Sequence, residues 1–104
     1  MNALFIPDLS GQLPDVAPDS IVSRRIHKDD HLDVTLFGFA AGQELSEHTA
    51  ARPAILHFLD GRARLTLGAD TQAAGPGAWV YMPPHLPHAI VAETAVIMLL
   101  ILLK

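Results

Sequence analysis

Ala54-Ile-Leu-His-Phe-Leu-Asp60-Gly61-Arg-Ala-Arg-Leu-Thr-Leu67 is the stretch on which the reading of the fold turns. Two apolar runs flank Asp60-Gly61, the dipeptide that suits a two-residue type I′ turn because both of its positions take positive φ. The spacing predicts a β-hairpin, and a two-residue turn fixes its register. Leu59 then faces Arg62, and Phe58/Ala63, Leu56/Leu65 and Ala54/Leu67 form one apolar face that must point inward. Ile55/Thr66, His57/Arg64 and Leu59/Arg62 fall on the other face, which places His57 toward solvent or a partner subunit.

The rest of the chain is punctuated in the same way, by eight prolines and seven glycines. The pieces between them have the length and alternation of strands. Strands are expected over 21–28, 32–40, 54–59, 62–67, 78–82, 88–92 and 95–103, with turns at Asp29-Asp30, Gly42, Gly68-Ala-Asp70 and Gly75-Pro-Gly77. Leu32, Val34 and Leu36 share one strand face, and Asp33 and Thr35 the other. No window holds a 3.6-residue period with caps, so the chain reads as all-β. Residues 1–20, with Pro7, Gly11, Pro14 and Pro18, read as an extended N-terminal arm lying over a single domain at 21–104.

The last strand is apolar on both faces, Val96, Met98, Leu100 and Leu102 on one and Ile97, Leu99, Ile101 and Leu103 on the other. An antiparallel strand with one wet side would alternate. Both sides therefore need cover, and a homodimer interface is the simplest second cover. The plainer alternative is the N-terminal arm.

Composition narrows the classes. A chain of 104 residues, 50% hydrophobic and 17% charged, is one globular domain that buries roughly two-thirds of its extended surface. Its net charge is −4, and the sole basic cluster is Arg24, Arg25 and Lys28, so nucleic acid is not an expected partner. Cysteine is absent, which removes disulfides, thiolate metal sites and cysteine nucleophiles. The N-terminus lacks a basic start, and its apolar run is cut by Pro7 and Asp8, unlike a secretory signal. The apolar run 95–103 is too short to cross a bilayer as a helix. No membrane association and a cytoplasmic location are the expectation.

Six histidines, at 27, 31, 48, 57, 85 and 88, carry the remaining information. Gly42-x5-His48-x-Ala50-x3-Ala54-x6-Gly61 follows the spacing of the first cupin motif, G-x5-H-x-H-x3-E-x6-G. Gly77-x5-Pro83-x-His85-x2-His88 follows the second, G-x5-P-x-G-x2-H, with His85 at its glycine. From about residue 32 onward the chain resembles a small single-domain cupin. The resemblance implies a jelly-roll β-barrel whose motif residues converge inside on one divalent metal. His48 and His88 match that ligand set, whereas Ala50 replaces the second histidine, Ala54 the glutamate and Ala92 the motif-two asparagine.

Two imidazoles hold a divalent ion weakly, since a catalytic site generally has three protein ligands plus water. A third ligand could come from His85, Gln43, Glu44, Glu47 or a bound small molecule. Imidazole suits zinc, iron, nickel and copper, and manganese joins them if oxygen donors complete the site. The alternative is an unmetallated pocket with both histidines as polar lining. That pocket is expected to include Gln43, Glu47, Ala50, Ala54, Leu56, Phe58, Trp79 and Tyr81. His27, Asp29, Asp30 and His31 straddle a turn where polar residues belong in any case.

Three functions compete: a metal-dependent cupin enzyme, a non-catalytic module for a small molecule in a cavity enlarged by the two alanines, and a structural dimer. No G-x-S-x-G elbow, phosphate-cradling glycine loop or H-E-x-x-H helix supports another route.

Overall fold

The structure, a computed structural model, describes residues 2–104; Met1 of the expected arm lies outside the described residues. Among the described residues nine strands run in order: β1 (Ile21–Lys28), β2 (Leu32–Phe39), β3 (Glu44–His48), β4 (Ala54–Asp60), β5 (Ala63–Leu67), β6 (Asp70–Ala74), β7 (Trp79–Met82), β8 (His88–Ala92) and β9 (Val96–Leu103). They form a five-stranded sheet, β1-β2-β9-β4-β7, and a four-stranded sheet, β3-β8-β5-β6. Only β1–β2 and β5–β6 are neighbours in both sequence and sheet; every other connection crosses between the layers. This is the jelly-roll arrangement, and all pairings are antiparallel.

The expected hairpin across Asp60-Gly61 does not form. Strand β4 pairs with β9 and β7, and β5 with β6 and β8, so each already has both edges filled and the two lie in opposite sheets. Gly61 takes φ 82°, but Asp60 does not join it at positive φ, so the type I′ geometry is absent. The segment turns instead onto the β8–β9 connection. The Arg62 N–H donates to Thr94 Oγ1 at 2.9 Å, and the Arg62 carbonyl accepts from the Glu93 and Thr94 N–H groups. A side chain at Gly61 would run into the Ala95 carbonyl oxygen, so glycine is required by close approach as well as by φ.

The inward assignment nevertheless holds. Ala54, Leu56, Phe58, Ala63 and Leu65 are each no more than 2% exposed. Alternation decides which side chains share a face, whichever strand lies alongside. These residues join Phe39, Ile90, Ala92, Val96 and Met98 in one core between the sheets. Fully burying the Leu, Ile, Val, Phe and Met side chains among them contributes about 1.5–3 kcal/mol each.

Two strands were not expected from the sequence, β3 and β6. Both are edges of the four-stranded sheet. Their sequences, ELSEH and DTQAA, carry little apolar alternation because most of their side chains meet water. The arm holds a single 3-10 turn at Ser10–Gln12 and lies across β2, where Leu13 and Val16 fill the space that a side chain at Gly38 would need.

The polar turn between β1 and β2 is closed by Asp29. Its Oδ1 accepts from the His31 and Leu32 N–H groups at 2.7 and 3.0 Å, and its Oδ2 accepts from His27 Nε2 at 2.8 Å. The His27 hydrogen bond first, then those two backbone donors, hold the Asp29 carboxyl well below the usual carboxylate range. Lys104 Nζ donates to the Asp29 carbonyl at 2.7 Å, tying the end of the chain to this turn. These polar groups are therefore spent on the turn. Among the described residues no helix is long and apolar enough to cross a membrane.

Candidate functional site

His48 ends β3, and His88 begins β8 directly opposite it. The β8 residues His88, Ile90 and Ala92 are buried and alternate with Ala89 and Val91, so His88 lies on the inner face of the four-stranded sheet. It is 6% exposed, whereas His48 is exposed, so the pair stands at an open end of the barrel. Their ring centroids are 4.1 Å apart at an interplanar angle of 58°.

Backbone carbonyls fix both rings. His48 Nδ1 lies 2.8 Å from the Ser46 carbonyl oxygen, and His88 Nδ1 lies 2.9 Å from that of Leu86. A carbonyl can only accept, so each Nδ1 carries the proton and the neutral ring keeps its lone pair on Nε2. This is the arrangement in which an imidazole serves as a metal ligand, its other nitrogen donating to a fixed acceptor. Two adjacent nitrogen donors are thus prepared in the same way. The motif spacing marked the two histidines, but the orienting carbonyls leave no side-chain signal in a sequence.

The structure does not gather a third protein ligand. Among the described residues no group of three or more His, Asp or Glu side chains is positioned to hold a metal, so His85 does not complete the expected set. His85 is exposed and has φ 68°, a conformation that glycine adopts freely. At the glycine position of the second motif it adopts the positive-φ conformation that the turn takes there. Its N–H donates to the Ala50 carbonyl at 2.7 Å, and the Pro87 carbonyl accepts from the Gly68 N–H at 2.8 Å. The loop 83–87 is therefore pinned to two neighbouring turns beside the histidine pair.

Gln43 sits at the far end of the β3–β8 ladder, with its carbonyl accepting from the Ala92 N–H. Glu44 pairs with Val91 on the outer face, and Glu47 is exposed. None of the three is brought into a ligand group with the pair.

Trp79 and Tyr81 need correction as pocket walls. Trp79 pairs with His57 and Tyr81 with Ile55, on the outside of the five-stranded sheet, where they are 58% and 50% exposed. The inward positions of β7 are Val80 and Met82, which pair with Leu56 and Ala54. The enlarged interior cavity is also absent. Ala54 is 2% exposed within the packed core, and among the described residues no cavity opens between the sheets. Ala50, Leu56 and Phe58 follow suit: Leu56 and Phe58 fill the core, and partly exposed Ala50 supplies only its carbonyl to the loop.

Comparison with known proteins places this geometry. The family model described as the cupin domain matches residues 35–103. Among solved structures, a conserved protein of unknown function from Streptococcus pyogenes is similar at TM-score 0.86 and 29% identity, over 100% of this chain and 90% of that one. A cupin superfamily protein from Desulfitobacterium hafniense matches at TM-score 0.86 and 25% identity, over 97% and 93%. A variant of salicylate 1,2-dioxygenase from Pseudoaminobacter salicylatoxidans matches at TM-score 0.76 and 15% identity, over 89% of this chain and 29% of that one, a likeness of fold alone. No curated protein matches the chain.

Proposed function

This chain belongs to the cupin domain family, and from that premise we propose that it binds a divalent transition-metal ion together with a small molecule at His48 and His88. The observation that carries the reading is the pair of facing imidazoles, 4.1 Å apart, each with Nδ1 committed to a carbonyl and Nε2 left to ligate. The fit to the family's ligand set is half complete, because Ala50 and Ala54 offer no donor where a histidine and a glutamate would stand. Two protein nitrogens leave most coordination positions to water and to the oxygen or nitrogen donors of an incoming molecule. A divalent ion so held supplies a Lewis-acidic centre with open positions. The chain itself contributes orientation: Ser46 and Leu86 set the rings, and exposed His48 leaves the pair accessible from solvent. The reading is a binding role and assigns no reaction.

Titration of the purified protein with Zn²⁺, followed by calorimetry and by the imidazole NMR signals, tests it. One ion per chain is expected, with His48 and His88 signals moving together. His48→Ala or His88→Ala should each weaken binding by more than about 100-fold, beyond the loss typical of an outer-shell partner. Binding that is unchanged in both variants, or no uptake by the wild type, overturns the reading. A second reading is a metal-free cupin acting as a small-molecule-binding or structural dimer; the closed interior around Ala54 favours the structural role of the two, and absent uptake would support it.

A further inference from the structure

Asp60-Gly61 is the only place in the chain where glycine follows an aspartate or an asparagine. The pair lies at the crossover from β4 to β5, where the sheet holds the backbone on few sides. The β4–β7 ladder ends at His57/Trp79, and the Phe58 hydrogen bonds to Gly77 and Ala78 are the last on that edge. On the opposite edge the β4–β9 register slips between Phe58 and Asp60. Asp60 is exposed, and its Oδ1 accepts the Gly61 N–H at 2.9 Å. Among the described residues that N–H has no other acceptor.

Glycine cannot be exchanged at this position. A side chain there would meet the Ala95 carbonyl oxygen, and φ is 82°. The fold therefore keeps an amide nitrogen with no flanking side chain in contact with an exposed carboxyl. Two groups held together in this way need no bimolecular encounter to react.

We propose that Asp60 is a site of spontaneous covalent modification, isomerising through a cyclic imide to an isoaspartyl linkage. In the first step the Gly61 nitrogen attacks Cγ of the neutral Asp60 carboxyl. The N–Cγ bond forms, a Cγ–O bond breaks, and the hydroxyl leaves with the amide proton as water. In the second step water adds at the main-chain carbonyl carbon of Asp60. The bond from that carbon to the Gly61 nitrogen breaks, and the nitrogen regains its proton. The backbone then runs through Cβ and Cγ, one atom longer, and the former main-chain carbonyl is a free carboxylate. Addition of water at Cγ instead regenerates aspartate. One water is released and one consumed, so the mass is unchanged and one solvent oxygen enters. The extra atom is inserted next to Arg62, whose N–H and carbonyl seat the crossover on Glu93 and Thr94.

The test is incubation of the folded full chain in heavy-oxygen water at neutral pH, beside the same chain held unfolded in guanidinium. The peptide carrying residues 60 and 61 is then followed by mass spectrometry and by separation of its isoaspartyl form. Both label and isoaspartyl form are expected in the folded chain, at a rate within about tenfold of the unfolded one. That limit corresponds to less than about 1.4 kcal/mol added to the barrier by the fold. Asp60→Glu, at an exposed position and with a larger ring to close, should leave the same peptide unlabelled. Conversion in the folded wild type slower than that limit, or label in the Asp60→Glu peptide at the wild-type rate, overturns the proposal.

Discussion

The two sheets share one core but differ on their outer faces. Behind the four-stranded sheet stand Arg64 and Thr66 of β5 and Thr71 and Ala73 of β6, paired across the strands as Arg64/Ala73 and Thr66/Thr71. Behind the five-stranded sheet stand Ile55, Leu99, Ile101, Trp79 and Tyr81. The first sheet has the ordinary pattern of one buried and one wet face; the second is apolar on both. The same division separates two kinds of work. The amphipathic sheet carries the histidine pair at its open end, and the doubly apolar one carries the half-exposed aromatics Trp79 and Tyr81. A change on one outer face should therefore leave the role of the other untouched, while a change in the shared core should weaken both.

Phe58→Ala should have the largest effect of all. Phe58 is fully buried between the sheets, and truncating such a ring costs about 3–5 kcal/mol. Equilibrium denaturation should show that loss as one cooperative transition; two separate transitions would mean that the sheets do not share a core.

Acid should act more locally, on the β1–β2 turn of the five-stranded sheet. The Asp29 carboxyl is lowered in the folded protein, so its contribution is intact above the ordinary carboxylate pKa and is lost as pH falls through the folded value. Thermal unfolding followed from about pH 5 to about pH 2 should therefore slope less steeply in Asp29→Asn than in the wild type. Equal slopes would remove the carboxylate's role in the turn.

The smallest effect is expected behind the four-stranded sheet. Arg64 lies 3.8 Å from Glu93 with both side chains largely exposed. Arg64→Ala should change stability by less than about 0.5 kcal/mol and leave both the oligomeric mass and zinc binding unchanged. A larger loss would show that this exposed pair contributes more than its solvation allows.

Much of this was legible from residues alone. The Ala54, Leu56, Phe58 and Ala63, Leu65 alternation assigned the inner face correctly, and the glycine-to-histidine spacings marked His48 and His88. Double-faced β9 announced that its outer side needs cover. The site was less legible. Trp79 and Tyr81, expected as pocket lining, lie outside: Trp79, Val80 and Tyr81 are all apolar or aromatic, and two-residue periodicity does not say which set faces in.

What the sequence determined by itself was seven of the nine strands, the alternation within each central strand and the pair of histidines, all properties of neighbouring residues. Tertiary structure decided the partners. It turned an apparent hairpin at Asp60-Gly61 into a crossover between sheets, made strands of the polar edges β3 and β6, and closed the space beside Ala54. Alternation is local because each backbone step reverses the side chain, whereas strand pairing depends on which distant edge is free. In this chain the edges of β4 were taken by β9 and β7, the strands whose inward residues complete the same core.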